Sequence, residues 1–312
     1  MLSFAVLLDM LLPDPQISWH PIALIGRWIA FLEKNVRKIL GNTYISGFLL
    51  VILTIGGSLS VTALLIRLSK SWSPANLVLT TVLLYFLLCG ATLRRSGTRV
   101  LEALQRQDLP VARERLQEIV GRDTSQLQEP EIIKAVLETL SENSIDGLVS
   151  PLLFMFVGSF LGHTVLAGLL YKCINTLDSM VGYKDEKYRF IGFASAKLDD
   201  IANYLPARIG GVLINLCGGF SGLDMVSGFR MMFRDAHNHL SPNAGWAEAS
   251  VAGLLGVRLG GDAIYFGKTV KKASLGDEKR QVAREDILRI NRLIVMLEGF
   301  FLLVSILLCG GK

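Results

Sequence analysis

Charge is what this chain has least of. Only 19% of its 312 residues are Asp, Glu, Lys or Arg, against roughly 25% in soluble domains. With hydrophobic residues at 51% and a mean hydropathy of +0.45, that excludes a disordered chain and an ordinary soluble enzyme. The four cysteines, Cys89, Cys173, Cys217 and Cys309, lack metal-like spacing, which excludes a disulfide scaffold and a cysteine zinc site. Histidine is equally sparse. His237 and His239 stand two apart, so they do not share a helix face, and no third ligand supports zinc. The excess of positive charge is +5 and dispersed, with no basic stripe interleaved with aromatics, so nucleic acid is not an expected partner. No convincing run of alternating polar and apolar residues argues for strands.

What is present is long apolar sequence. Ile45–Ile66 and Ser71–Leu93 carry no charged residue, and each exceeds the roughly 20 residues a helix needs to cross a bilayer. Leu293–Gly311 is long enough but contains Glu298, whose carboxyl should face the protein interior. Met1–Leu12 is interrupted by Asp9 and has no positively charged leader, so it reads as a short embedded or interfacial helix rather than a signal peptide. Ile209–Leu223 is glycine-rich and short for a span. Arg27, Lys34, Arg37 and Lys38 precede the first span, and Arg94, Arg95, Arg99 and Arg106 follow the second, which puts both flanks in the cytoplasm. Full crossing by Gly147–Tyr171 would then expel Lys172, Lys184, Lys187, Arg189, Lys197 and Arg208. A re-entrant pair of half-helices turning at Gly162-His163 avoids this, buried in protein or lining a wet cavity. The expected fold is an all-α polytopic membrane bundle with re-entrant or broken helices and a helical cytoplasmic layer. Residues 1–312 form a single membrane-embedded domain, with 94–146 as a cytoplasmic helical insertion and 224–292 as a cytoplasmic or interfacial segment. Within the insertion, Leu101, Leu104, Leu116 and Ile119 suggest two helices broken by Pro110, and Pro130 begins another. Lys268–Arg292 reads as a solvated helical lead into the last span, and His163 as a buried, satisfied histidine.

Polar residues crowd into four blocks at the edges of apolar segments. They run Glu142–Pro151, Tyr171–Lys184, Ser195–Arg208 and Arg234–Trp246. The first two share an Asn-x-x-Asp pattern, Asn143 with Asp146 and Asn175 with Asp178. Residues three apart share a helix face, so an amide and a carboxylate can bind one hard cation such as Mg²⁺ beside substrate phosphates. Helix capping is the alternative for either pair. Asp199-Asp200 adds two more carboxylates. Lys172, Lys184, Lys197 and Arg208 alternate with these acids and suit phosphate binding, or, for any one lysine, simple snorkelling. Gly-x-Ser-x-Gly, dinucleotide and zinc-protease motifs are missing.

These blocks are similar to those of the membrane-bound adenosylcobinamide-phosphate synthases (cobinamide synthases) of cobalamin biosynthesis. The resemblance runs nearly end to end. It takes in Asp9 with Asp14-Pro15 and His20-Pro21, Glu142-Asn143 with Asp146-Gly147 and Ser150-Pro151, and Asn175-Thr-Leu-Asp178 with Gly182. It continues through Lys197-Leu-Asp199-Asp200 with Asn203, Pro206 and Arg208, then Arg234-Asp235, His239, Ser241-Pro242-Asn243 and Gly245-Trp246. It implies an ATP-dependent ligase at the cytoplasmic face of the cell membrane. That enzyme joins (adenosyl)cobyric acid to (R)-1-amino-2-propanol or its O-phosphate. ATP and Mg²⁺ are the expected co-substrate and cofactor. The bilayer, the corrinoid and the amine are the expected partners, with a homo-oligomer or other corrinoid-pathway membrane proteins also possible. Activating a carboxylate for amine attack needs a cation, phosphate-binding groups and a proton acceptor. On that chemistry Asp146, Asp178, Asp199 and Asp200 are the expected metal ligands. Lys172, Lys184, Lys197, Arg208 and Arg234 would contact phosphates, Lys172 at the reacting one. Asp235 or His239 would accept the proton, while Asn143, Asn175 and Asn243 orient substrate. Two rivals are a Mg²⁺-dependent transferase of prenyl or lipid phosphates and a transporter of a corrinoid or other anion.

Overall fold

A computed structural model describes the chain apart from Gln16, Lys184, Asp262, Phe266, Gly267, Lys271, Lys272, Gly311 and Lys312, with backbone alone at 263–265, 268–270 and 308–310. Most of the described chain is helical. It begins with α1 (Leu2–Leu11), α2 (Pro21–Leu40), α3 (Tyr44–Ser69), α4 (Ser73–Tyr85), α5 (Gly90–Gln105), α6 (Leu109–Gln117) and α7 (Glu129–Ser144). A π turn at Ile145–Val149 leads into α8 (Ser150–Phe160), followed by α9 (Thr164–Val181), α10 (Phe193–Ala202), α11 (Tyr204–Phe220), α12 (Met225–Asp235) and α13 (Ala244–Leu255). Four short strands precede α14 (Arg284–Gly310): β1 (Leu259–Gly260), β2 (Ala263–Tyr265), β3 (Lys268–Val270) and β4 (Ser274–Leu275). They pair antiparallel, β1 with β4 and β2 with β3.

Among the described residues three helices are long and apolar enough to cross a membrane: Tyr44–Ser69, Glu129–Phe160 through its π turn, and Arg284–Leu307. A fourth span results if Ser73–Tyr85 and Gly90–Gln105 act together. The fold is therefore an all-α polytopic membrane protein. Several local expectations need correction. Ser71–Leu93 is not one helix, because the chain leaves α4 after Tyr85 and restarts at Gly90. Gly147–Tyr171 is not a pair of separate half-helices, since its first limb continues the helix that begins at Glu129. Its turn does fall at Gly162-His163. Gly162 sits at φ +73°, which favours glycine, and the His163 N–H closes the turn on the Gly158 carbonyl at 2.7 Å. His163 itself is exposed, because it stands at the tip of that turn. Among the described residues the charged stretch from Lys268 becomes helical only at Arg284, with β3 and β4 occupying part of it.

The chain makes two compact units. One comprises Met1–Cys89, Ser150–Asn203 and the residues from Ser305. In it α8 and α9 form an antiparallel hairpin, α9 packs against α2 and α3, and α10 lies on α9 and α3. Pro21 opens α2, where its missing N–H costs nothing, and the His20 ring caps the helix by accepting the Ile22 N–H. The other unit comprises Gly90–Val149 and Tyr204–Val304. The helix pair expected around Pro110 is α5 and α6, with Pro110 in the first turn of α6. Pro130 likewise sits in the first turn of α7 behind a capping box of Gln128 and Glu131. At its centre α13 is buried at every residue, its alanines and glycines admitting α11, α12 and α7 closely. Glu298 of α14 is fully buried, as expected of a carboxyl in a span, and Arg94 pairs with it at 3.3 Å.

Candidate functional site

In the first unit the chemistry collects along α9 and α10. Lys172, Asn175 and Asp178 follow one another at intervals of three, which puts them on one face of α9. The Lys172 side chain is buried, so it is not a surface lysine snorkelling to water. None of the three stands at the N-terminal cap of α9, which is His163. Gly182 caps the other end of α9. A Cβ there would strike the Asp178 carboxylate, so the glycine leaves that carboxylate its room.

On α10 the pair Asp199-Asp200 divides. Asp200 takes the Lys197 ammonium at 3.0 Å across an exposed turn, which occupies Lys197 within its own helix. Asp199 is held by Asn203, whose side-chain N–H donates to Asp199 Oδ2 at 3.0 Å. The other end of the Asn203 amide accepts two buried hydroxyls, Ser150 at 2.7 Å and Tyr171 at 2.9 Å. Those two donors dictate which way round the amide lies, and so oblige it to present N–H to Asp199. Burial pushes the Asp199 carboxyl above its ordinary range; the amides of Asn203 and Asn175 and the charge of Lys172 offset only part of that, and Asp200 adds to it. Lys184, one of the expected phosphate contacts, lies outside the described residues.

The second unit holds the remaining expected residues. Asn143 lies on α7 and bonds back to the Thr139 carbonyl at 2.9 Å. Asp146 sits in the π turn, a widening of the helix that recurs at functional sites. The Arg208 guanidinium lies 3.4 Å from the centroid of Tyr204 and 4.7 Å from that of Trp246, with Asn243 Oδ1 at 3.5 Å. Arg208 Nη1 also donates to the Tyr204 carbonyl at 2.5 Å, so ring stacking and hydrogen bonding together orient this cation. Arg234 is committed elsewhere. It grips Asp235 through two bonds of 2.6 and 2.7 Å and reaches Asp277 at 2.8 Å. Burial disfavours the Asp235 anion, but Arg234 and the Gly276 N–H outweigh it and hold the carboxyl below its usual range. An anion so satisfied is a weak proton acceptor. His239 accepts the Ser241 N–H on Nδ1 at 3.0 Å, which leaves the proton on Nε2, 3.5 Å from the buried Glu248. That contact orders the 239–243 turn.

Sequence reasoning missed Ser150, Tyr171, Asn203 and Glu248 as working residues. The available signal was a polar side chain inside an apolar segment, since Ser150 and Tyr171 are fully buried. Among the described residues no three His, Cys, Asp or Glu side chains form a metal-holding group. The donors present are hard carboxylate and amide oxygens. They fit a cation that takes one or two protein carboxylates and completes its shell from phosphate oxygens.

Fold and site thus define an all-α polytopic membrane protein whose α9 and α10 carry acids, amides and a buried lysine. A family model described as CobD/Cbib protein matches residues 2–294. Cobalamin biosynthesis protein CobD of Geobacter metallireducens is 44% identical over 88% of this chain and 85% of its own. Cobalamin biosynthesis protein CbiB of Salmonella choleraesuis is 42% identical over 93% and 91%. The CobD protein of Clostridium perfringens is 38% identical over 96% and 95%. The chain belongs to the CobD/CbiB family. No solved structure matches it.

Proposed function

We propose that the chain is a biosynthetic enzyme of cobalamin assembly that forms an amide between (adenosyl)cobyric acid and (R)-1-amino-2-propanol or its O-phosphate, with ATP consumed. The observation that carries this reading is the α9–α10 cluster, where buried Lys172, Asn175, Asp178 and an oriented Asp199 share one helix pair. A carboxylate resists amine attack because its charge and resonance make it a poor electrophile. Transfer of the terminal phosphoryl group of ATP to the corrinoid carboxylate gives an acyl phosphate and ADP. Amine attack then forms the C–N bond and breaks the C–O bond to phosphate, and the proton lost from nitrogen leaves with the departing hydrogen phosphate. Mg²⁺ would be held by Asp178, Asp199 and Asp200 of the first unit and would offset phosphate charge; Asp146, in the second unit, is a separate candidate ligand.

Lys172 neutralises charge as the phosphoryl group moves, its burial strengthening each electrostatic contact it makes. Asn175 orients the substrate from the same helix face. In the second unit Arg208 is a candidate phosphate contact, with Asn143 and Asn243 as candidate orienting amides. We assign the reaction to the cytoplasmic face of the cell membrane, following the excess of Lys and Arg that precedes α3 and runs from Arg94 to Arg106 after the second apolar run.

The test uses purified full-length protein in lipid nanodiscs with cobyric acid, ATP, Mg²⁺ and each form of the amine, products being weighed by mass spectrometry. The expected product gains the amine mass less water, one ADP forming per amide. Asp178→Asn and Lys172→Met should each lower turnover by at least a hundredfold while the protein stays folded. Full turnover by both variants would remove α9 from the mechanism. Solute uptake without product, or turnover of a prenyl diphosphate without ATP, would overturn the ligase reading.

A further inference from the structure

The link between α9 and α10 is stitched onto the α2–α3 turn. The Asn42 side chain donates to the Glu186 carbonyl at 3.1 Å and accepts the Ile191 N–H at 3.1 Å, and Arg37 donates to the Lys187 carbonyl at 3.0 Å. Gly47 lets the Ile191 backbone press against α3. The result is a fixed corner at the first residue of a membrane-crossing helix, and it is dense in rings and cations.

Arg37 and Lys187 both lie over the Tyr188 ring, at 5.6 and 4.5 Å from its centroid, and Arg189 lies 5.6 Å from that of Phe190. Tyr44 meets Phe190 and Phe193 edge-on at 5.3 and 5.1 Å. These rings are not core. Tyr44 is 48% exposed, Phe190 37% and Phe193 41%. Aromatic rings exposed at the end of a span partition to the headgroup layer. Basic residues dominate the corner. Lys34, Arg37, Lys38, Lys187 and Arg189 face Glu33, Asp185 and Glu186. Of those acids, Glu33 is taken up by Arg37, and Asp185 caps the Tyr188 N–H. Below Tyr44 an apolar track runs down one side of α3 through Ile45, Phe48 and Ile52, which are 71%, 55% and 65% exposed. A soluble anion would have no use for that track, whereas an acyl chain would.

We propose that this corner is a binding site for an anionic phospholipid, its phosphodiester held by Lys187 and Arg189 and its chains laid along Ile45, Phe48 and Ile52. The site is independent of the amide-forming chemistry. It would anchor the segment that joins the helix of Asp178 to that of Asp199.

Native mass spectrometry of the full chain, released from nanodiscs of phosphatidylcholine containing phosphatidylglycerol, tests it. Wild-type protein should retain phosphatidylglycerol above its bulk fraction. Lys187→Gln with Arg189→Gln should cut that enrichment on the order of tenfold, each cation near a bilayer surface contributing comparably. Arg67→Gln with Lys70→Gln, which removes the same charge from the far end of α3, should leave it unchanged. Equal loss from both pairs, no enrichment in the wild type, or displacement of the lipid by millimolar inorganic phosphate would each overturn the proposal.

Discussion

Replacing Asn203 with leucine tests the hub that orients Asp199. The change keeps the side-chain shape and deletes one acceptor and one donor. Asn203 is 1% exposed, and Ser150 and Tyr171 are fully buried, so neither hydroxyl can exchange this acceptor for bulk water. Removing a partner from a buried polar group costs about 1–3 kcal/mol. Ser150 can rotate to a carbonyl one turn back in its own helix, as buried serines do. The rigid phenol of Tyr171 has no such freedom. Asp199, only half-buried, regains some solvation. The expected loss for Asn203→Leu is therefore about 2–4 kcal/mol, with about 1 kcal/mol for Tyr171→Phe and less for Ser150→Ala. A double-mutant cycle isolates the coupling. In the Asn203→Leu background, Tyr171→Phe should cost clearly less than in the wild type, since the Asn203 acceptor is already gone. Thermal and denaturant unfolding in a mild detergent would measure each corner of the cycle. An identical cost for Tyr171→Phe in both backgrounds would refute the hub.

Three further outcomes follow from the geometry. Arg94→Leu strips a cation from fully buried Glu298 and should destabilise by about 3–5 kcal/mol, whereas adding Glu298→Gln should restore much of the loss in the same unfolding assay. The pH dependence of stability should differ in sign at two acids. Asp235 is held below its ordinary range, so its stabilisation is complete above about pH 4 and lost as pH falls through the lower folded value; Asp235→Asn should flatten the acid limb of the unfolding curve. Asp199 is raised, so its ionisation opposes folding as pH climbs from about 4 through the raised value; Asp199→Asn should lift the neutral-pH Tm by a few degrees while abolishing turnover. Finally, a Cβ at Gly192 would collide with the Val181 and Tyr188 carbonyls, and Gly192→Ala should cost about 1–3 kcal/mol through overpacking, unless the melting curve is unmoved.

What could be read from the chain alone depended on how local the cause was. An uncharged run is a local property, and α3 followed directly from it; so did the interior position of Glu298, because a lone carboxyl in a span has nowhere else to go. The interruption between Tyr85 and Gly90 had no local sign, since Phe86, Leu87 and Leu88 are as apolar as their neighbours. Its cause is distant in sequence. The Tyr85 hydroxyl donates to the Leu12 and Pro13 carbonyls, and the Phe86 ring packs edge-on against Trp19 and His20. The same distinction sorts the site. Spacing of three placed Lys172, Asn175 and Asp178 on one face without any tertiary knowledge. It could not separate buried Lys172 from Lys197, whose ammonium is spent on Asp200. Arg234, which grips Asp235, is its neighbour in sequence, but the Gly276 N–H that completes the carboxylate's shell lies forty-one residues away and has no local sign. Asn203 was visible as one polar residue among several, yet its role rests on hydroxyls that reach it from α8 and α9. Residues whose duty is to carry charge are thus legible from type and spacing, whereas those that orient them are defined by helices that only folding brings together.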